Sequence, residues 1–179
     1  MELFEVLEQV RPKAPLIQCI TNFVTVNDCA NILLAAGASP TMAQDIREVE
    51  EAVADTDGLG CNLGAIDLVD SMILAGKRAN ELGIPVVLDP VAAGGTTIRR
   101  ESSARLLEEV HFTAIRGNAS EIRALAGQMS RGSGVDVAAW DAITAENLPQ
   151  SVGLISELAQ KTGAVIAVSG VMDVVADGK

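Results

Sequence analysis

The chain has 179 residues and a net charge of −11. That length suits one domain with a sizeable core, and the negative charge argues against nucleic acid and anionic membranes, which bind clustered positive charge. Hydrophobic residues make up 49% of the chain and aromatic residues only 2%, as in aliphatic parallel sheets buried under helices. No apolar run reaches the roughly 20 residues of a membrane span, and the acidic start does not resemble a secretory signal. We therefore expect a cytoplasmic protein.

Cysteine and histidine usage narrows the chemistry further. Cys19, Cys29 and Cys61 are odd in number and lack the Cys-x-x-Cys spacing, and His111 is the only histidine. We expect reduced, mostly buried thiols. Zinc sites with paired histidines and ordinary Ser-His-Asp hydrolysis are disfavoured, because both depend on positioned imidazoles.

Apolar periodicity and short aliphatic runs predict alternating helices and strands along the chain. Helices are predicted over residues 2–11, 26–36, 45–54, 66–82, 99–109, 118–127 and 150–162. Strands are predicted over 15–20, 58–63, 84–89, 111–116 and 164–169, and an extended segment over 172–179. Gly37 and Gly83 are placed to end helices, and Asn118 and Glu121 have the spacing of an N-cap with its reciprocal carboxylate. A Gly/Ser loop is expected near 131–135.

This alternation, without a linker or an internal repeat, predicts βαβ units in one α/β domain over residues 1–179, with a mainly parallel sheet and helices on both faces. The Asp-Gly pair close to the end is a strong hairpin signal. We therefore expect the sequence to be a piece of a longer protein.

Polar residues come directly after the apolar runs of most of the predicted strands. In parallel α/β sheets, ligands bind outside the carboxyl ends of the strands. The residues at these positions are Thr21, Asn22, Asn62, Asp89, Arg116, Asn118 and Ser169. Carboxylate, amide, guanidinium and hydroxyl groups on one rim indicate a polar site for an anion assisted by a metal.

Individual segments of this rim have two interpretations. The Gly94, Gly95, Thr96 and Thr97 run after Asp89 either offers main-chain N–H groups to an anion or forms a loop with a threonine cap.

The charged residues allow similar alternatives. Arg116 suits phosphate oxygens, because its guanidinium is always charged and forks onto them. Glu121 is either a capping carboxylate or, with Asp89, a ligand of Mg²⁺, which prefers one or two carboxylates plus water and substrate phosphates. No Gly-x-x-x-x-Gly-Lys-Ser/Thr segment is present, and the glycines of residues 58–64 lack the dinucleotide-binding spacing.

Three stretches together resemble hydroxyethylthiazole kinase, of the ribokinase-like superfamily: PLIQCITNFVTVNDCANILLAAGASPTMAQ, VVLDPVAAGGTTIRRES and FTAIRGNASEIRALAG. The resemblance implies an enzyme of thiamine salvage that phosphorylates the hydroxyethyl group of 4-methyl-5-(2-hydroxyethyl)thiazole with Mg²⁺ and ATP. It also implies a homotrimer. Its site residues would be Met42 and Asn22 for the thiazole, Arg116 and Ser169 for ATP, and Asp89 and Glu121 for magnesium.

The sequence departs from the family pattern in two ways. The family's later glycine-rich stretch, with the Cys or Asp in the position of the base, lies beyond Lys179, so the C-terminal part of the domain is lacking and the catalytic base is unassigned. The third strand is richer in glycine and lacks the usual threonine.

Two other interpretations stay open. One is another ribokinase-like kinase, such as a hydroxymethylpyrimidine kinase or an ATP-dependent repair enzyme for hydrated nicotinamide nucleotides, although the TNFVT and SPTMA segments favour the thiazole. The other is a chain that binds thiazole or nucleotide without turnover.

Overall fold

The computed structural model describes residues 3–129 and 142–178, so the Gly/Ser loop predicted near 131–135 lies outside the described residues. Helices and strands alternate along the described chain. The helices are α1 (Leu3–Lys13), α2 (Val26–Ala36), α3 (Val49–Ala54), α4 (Val69–Leu82), α5 (Thr97–Glu109), α6 (Ala119–Met129) and α7 (Leu148–Thr162). The strands are β1 (Leu16–Ile20), β2 (Ser39–Thr41), β3 (Gly58–Asn62), β4 (Val86–Asp89), β5 (Ala114–Asn118), β6 (Val165–Ser169) and β7 (Val174–Ala176).

The seven described strands form a sheet in the order β2-β1-β3-β4-β5-β6-β7. β1 pairs in parallel with β2 and β3, and β5 pairs in parallel with β4 and β6, whereas β7 runs antiparallel to β6. The predicted α/β class with a mainly parallel sheet is confirmed.

Local signals in the sequence set several helix ends. Gly37 and Gly83 end α2 and α4 in the left-handed conformation, with φ of 95° and 71°, which glycine adopts without the steric cost of a Cβ. Thr96 precedes α5 and its side chain accepts a hydrogen bond from the Arg99 N–H. These three ends were visible in the sequence because the responsible residue lies at the helix end itself.

The structure adds one strand to the prediction and shifts the bounds of other elements. The strand β2 was missed, because Ser-Pro-Thr has no aliphatic run; it is an edge strand that pairs with β1. Strand β5 begins at Ala114 rather than at His111 and continues to Asn118, because pairing with β6 extends through the polar residues. Helix α3 begins at Val49, after a turn that includes Asp45.

Contacts group the chain into two compact units, Met1–Val86 and Val87–Lys179, and each is described by itself. That residues 1–179 form a single domain stays a prediction. In the first unit, α3 packs on α4 and α4 contacts β3. Its largest fully buried side chains are Ile20, Leu59, Leu63 and Met72. Helix α2, by contrast, has no buried residue.

In the second unit, the helices α6 and α7 pack on β5, β6 and β7, and α5 packs on α6. One face of this part of the sheet is fully buried and consists of Leu88, Ile115 and Ile166. Strand alternation puts the neighbouring side chains on the other face, which has the partly exposed Val87, Val165 and Val175. The exposed face therefore has aliphatic residues along the strands and ends at the polar rim.

Candidate functional site

The rim of the first unit is organised by Asn22, which follows β1. Its Oδ1 atom accepts hydrogen bonds from the main-chain N–H groups of Val24 and Thr25, at 3.0 and 3.1 Å. Its Nδ2 atom donates to Asn62 Oδ1 at 3.3 Å, at the end of the adjacent strand β3. Asn22 therefore fixes the turn that leads into α2 and links the carboxyl ends of β1 and β3.

Gly64 leaves the space in which the two amides meet. Asn62 Oδ1 also accepts the Gly64 N–H at 2.9 Å. A Cβ atom at residue 64 would lie 2.6 Å from Asn62 Oδ1 and 2.8 Å from Asn22 Nδ2, closer than real Cβ atoms approach other heavy atoms. The Asn-x-Gly sequence that begins at the last residue of β3 therefore holds the side-chain amide of Asn22, a predicted substrate residue, in place.

Met42 directly follows β2 and is half-buried. The segment after it is held by Gln18, whose buried side-chain Nε2 donates to the Ala43 carbonyl at 2.8 Å. Gln18 was not among the predicted site residues, although one polar residue inside the aliphatic run PLIQCI was a usable signal. Both predicted thiazole residues, Asn22 and Met42, therefore lie after neighbouring parallel strands of the first unit.

The second unit contains the residues predicted for ATP and magnesium. Arg116 pairs with Ala167, and Asn118 pairs with Ser169, across β5 and β6. Arg116 lies inside β5, so the prediction that it ends the strand is wrong; Asn118 ends it, because pairing with β6 continues that far. Alternation along the paired strands brings Asp89, Arg116 and Ser169 to one face of the sheet, the one that ends in the rim.

The Arg116 side chain is exposed on this face. Across residues 3–129 and 142–178, no carboxylate forms an ion pair with it. Ser169 Oγ lies 3.5 Å from the Gly117 carbonyl, at the limit of a hydrogen bond. A guanidinium and a hydroxyl without strong protein partners are suited to bind an anion from solution.

Glu121 has two main-chain partners. Its Oε2 accepts the Asn118 N–H at 2.9 Å, while Asn118 Oδ1 accepts the Glu121 N–H at 2.9 Å, so the predicted capping pair is confirmed. Its Oε1 accepts the Ala92 N–H at 3.0 Å, from the loop that follows β4. This second bond could not be predicted from the sequence, because the two residues are far apart along the chain.

The loop after Asp89 is held from α5 as well. Arg99 donates to the Val91 carbonyl and Arg100 to the Gly94 carbonyl, both at 3.0 Å. Thr96 Oγ1 caps α5, although at a long 3.4 Å, and the Gly95 N–H is used within the loop by the Ala92 carbonyl. The threonine cap of one interpretation of this segment is therefore observed.

A cleft of about 380 Å³ opens at the ends of β5 and β6. Polar atoms of Asn118, Ser120 and Ser169 line one part of it, and Ile143 and Met172 line an apolar part. At its edge, Asp173 accepts the Gly170 N–H at 2.9 Å and so closes the turn between β6 and β7. The cleft thus joins a hydroxyl-rich wall to an apolar wall beside the predicted nucleotide residues.

Cys19 and Cys61 are unsuited to nucleophilic or general-base roles. Burial raises the pKa of Cys19 to about 11 and that of the buried Cys61 to about 12. All three thiols are free, and Cys19 and Cys29 are half-buried, so the expectation of mostly buried cysteines holds fully only for Cys61. Thiols with raised pKa values stay protonated near neutral pH, when they are weak nucleophiles.

Within the described residues, no group of three or more His, Cys, Asp or Glu side chains is arranged to hold a metal ion. Mg²⁺ takes one or two carboxylates from a protein, with water and substrate phosphates as its other ligands. Asp89 fits such a role, as a half-buried carboxylate at the end of β4. Among the same residues, no helix is long and apolar enough to cross a membrane.

Comparison with known proteins gives one consistent result. The model of the hydroxyethylthiazole kinase family matches residues 7–179. The hydroxyethylthiazole kinases of Clostridium acetobutylicum and Desulfovibrio desulfuricans are 50% and 49% identical over 98% and 96% of this chain. The structure of the hydroxyethylthiazole kinase protein from Pyrococcus horikoshii OT3 superposes with a TM-score of 0.84, at 37% identity over 98% of the chain.

The fold and the polar rim therefore define a ribokinase-like α/β protein. The chain belongs to the hydroxyethylthiazole kinase family. It spans 65% of the Clostridium acetobutylicum relative, 61% of the Desulfovibrio desulfuricans relative and 63% of the Pyrococcus horikoshii chain.

Proposed function

We propose that this chain provides the substrate and nucleotide residues of a kinase that transfers the γ-phosphoryl group of ATP to the hydroxyethyl group of 4-methyl-5-(2-hydroxyethyl)thiazole, in thiamine synthesis or salvage. One observation carries the proposal. The exposed guanidinium of Arg116 shares a sheet face with Asp89 and Ser169, beside the cleft of the second unit. Family membership supports the same reaction.

The chemistry required of these residues is mainly positioning and neutralisation of charge. The substrate alcohol oxygen attacks the γ-phosphorus, the bond to the bridging oxygen of ADP breaks, and the alcohol proton passes to a base. Arg116 would bind phosphate oxygens through its forked N–H groups, and Ser169 would donate its hydroxyl to them. Asp89 would hold Mg²⁺, which neutralises charge on the phosphate oxygens when bound. No residue of this chain is assigned as the base.

Met42 and Asn22 are the proposed thiazole residues. A half-buried thioether suits contact with a flat sulfur heterocycle, because methionine adapts its shape and makes favourable contacts with aromatic rings. Asn22 would contribute through the turn that it fixes, since both ends of its amide already have partners in the protein.

Paired titrations test these assignments. Calorimetric titration of the chain with ATP and Mg²⁺, and separately with the thiazole alcohol, gives two affinities for each variant. Arg116→Ala should lower the affinity for ATP by roughly tenfold to a hundredfold, which corresponds to the loss of one charged hydrogen bond, and should leave the affinity for the thiazole alcohol unchanged. Met42→Ala should lower the affinity for the thiazole alcohol by roughly tenfold and leave the affinity for ATP unchanged.

The matched control is Arg78→Ala, which removes an exposed guanidinium paired with Glu81 in the first unit. It should change neither affinity. If Arg116→Ala and Met42→Ala also leave both affinities unchanged, the residue assignments are wrong. A coupled assay of ADP release, run beside the titrations, separates turnover from binding alone; we expect little or no turnover from this chain.

We further propose that the chain assembles as a homotrimer in the cytoplasm. The support is a set of exposed apolar side chains in α2 and the turn before it: Phe23, Val24, Ile32 and Leu34. Phe23 is 90% exposed and Ile32 68%, and exposed apolar side chains that cluster on a surface mark interaction sites. The free cysteines suit a reducing compartment, where ATP is also available.

Sedimentation velocity tests the assembly. A species of three times the chain mass is expected, and Ile32→Glu should convert it to the single-chain mass. The control Ile98→Glu changes another exposed isoleucine, on α5, and should leave the assembly intact. A single-chain mass for the unsubstituted protein at high concentration would refute the trimer.

A further inference from the structure

We infer that Glu121 serves the nucleotide site as a positioning residue, by holding the loop after β4 to the start of α6, rather than as a ligand of the magnesium ion. The inference rests on the proposed function, because it concerns the same rim. It gives Glu121 a different role from the one that the family resemblance implied. The observation behind it is that both carboxylate oxygens already accept main-chain hydrogen bonds, which fix the carboxylate between two segments and use one lone pair of each oxygen.

Glu121 forms a bridge between the Ala92 and Asn118 N–H groups, and both of its hydrogen bonds are short. Glu121 Oε1 lies 3.0 Å from the Ala92 nitrogen, and Oε2 lies 2.9 Å from the Asn118 nitrogen. Ala92 and Asn118 are in the segments that follow β4 and end β5, which are neighbouring parallel strands. One carboxylate therefore sets the spacing between the two segments that contain Asp89 and the residues around Arg116.

The surrounding structure makes room for this carboxylate. A Cβ atom at Gly117 would lie 3.1 Å from Glu121 Oε2 and 3.3 Å from Pro90 Cγ, so glycine allows the carboxylate and the loop to approach the strand closely. On the other side of the loop, a Cβ at Gly94 would lie 3.0 Å from the Ala124 Cβ. The loop thus packs against α6 at two places, and Glu121 provides the polar one.

The loop also needs a restraint of this kind. Ala92 has φ of 54°, a left-handed conformation that costs a non-glycine residue about 1 kcal/mol or more. Its exposed N–H would otherwise bind water, and the bonds described above from Arg99 and Arg100 of α5 are to the carbonyls of Val91 and Gly94. The bond from the Ala92 N–H to Glu121 fixes the donor side of the same loop. The negative charge is also favourable at the N-terminus of α6.

Amide hydrogen exchange in the ligand-free chain tests the bridge. Glu121→Gln keeps the side-chain shape but replaces one acceptor oxygen with a donor NH₂ group, so only one of the two N–H groups keeps an acceptor. We expect exchange at the Ala92 or the Asn118 amide to become roughly tenfold to a hundredfold faster, the loss of one charged hydrogen bond. Glu121→Ala should accelerate both amides.

The control is Glu108→Gln, which removes an exposed carboxylate of α5 and should leave both amides unchanged. Circular dichroism of each variant verifies that the fold is retained. A wild-type rate at both amides in Glu121→Gln and Glu121→Ala would overturn the inference.

Titration with ATP, with and without Mg²⁺, then separates positioning from ligation. If Glu121 is a positioning residue, Glu121→Gln should lower the affinity for ATP by a similar factor with and without Mg²⁺. Weakening confined to the titration with Mg²⁺ would overturn the inference, because it is the result expected of a metal ligand. If the unsubstituted chain binds no ATP, the proposed function fails, whereas the amide exchange still decides whether Glu121 holds the loop.

Discussion

Replacing Gly64 with alanine would put a methyl group into space that the Asn22–Asn62 amide pair fills. The new Cβ would lie 2.6 Å from Asn62 Oδ1 and 2.8 Å from Asn22 Nδ2. Both atoms belong to short side chains and are held by the hydrogen bonds described above, so neither can easily move aside. The amides must therefore move apart, and their contact at 3.3 Å is lost.

The size of the effect follows from these contacts. Two hydrogen bonds are broken or weakened, at about 0.5–1.5 kcal/mol each, and the misfit of an extra methyl group costs about 1–3 kcal/mol. The lower entropy of alanine in the unfolded chain returns about 0.4–1 kcal/mol. We therefore expect the free energy of unfolding to fall by about 3 kcal/mol.

Urea unfolding of Gly64→Ala and of Gly60→Ala measures this difference. Gly60, in β3, is the matched control, since a Cβ there would make only an ordinary contact, 3.7 Å from Cys19 Sγ. With a slope of about 2 kcal/mol per molar urea, the midpoint of Gly64→Ala should be lower by about 1.5 M.

A difference below about 1 kcal/mol between the two variants would refute the reasoning, because the accommodation of the methyl group would then be nearly free. A double-mutant cycle sharpens the test. With Asn62→Ala also present, the main clash is gone, so the two substitutions together should cost less than the sum of their separate effects.

The remaining predictions concern helix ends, the core and the cysteines. Gly83→Ala should lower the free energy of unfolding by about 1 kcal/mol, measured with urea. The cost comes from the backbone alone, because φ is 71° and no heavy atom beyond the adjacent residues lies within 4 Å of the added Cβ. Gly37→Ala should cost clearly more, since its Cβ would also lie 2.7 Å from Arg11 Cγ and 3.0 Å from Arg11 Cα; equal losses would contradict this. Leu106→Ala should cost about 2–5 kcal/mol, because Leu106 is fully buried, and a loss below about 1 kcal/mol would show that its site is not close-packed. The pKa values of Cys19 and Cys61 are raised from 9.0 to about 11 and about 12, so their contribution to stability is complete below pH 9 and declines as the pH rises toward 11 and 12. Alkylation of Cys19, followed by mass spectrometry, should therefore be about a hundredfold slower in the folded than in the unfolded chain at pH 8, and equal rates would refute the raised pKa.

The features that the sequence predicts well are those set by adjacent residues. The ends of α2 and α4 depend on Gly37 and Gly83, and the start of α6 depends on Asn118 and Glu121 only three positions apart. In each case the residue types and their spacing contain the physical cause. These signals were sufficient for the α/β class and for most of the helices and strands.

The features that the sequence does not predict depend on partners far along the chain. Strand β2 exists through its pairing with β1, and β5 reaches Asn118 through its pairing with β6. The Glu121–Ala92 bond and the Asn22–Asn62 contact likewise join residues that periodicity cannot relate. Strand order decides these contacts, and strand order is not visible in a local pattern.

Helix α2 has a consequence for how this chain tolerates change. Because Ile32 and Leu34 are 68% and 58% exposed, these two side chains add little to the free energy of unfolding of a single chain. Substitutions at Ile32 or Leu34 are then free of the constraint that a core imposes, and only a surface formed with another molecule would select their size and shape. Substitutions at these two positions could therefore change binding to another molecule without changing the stability of the single chain.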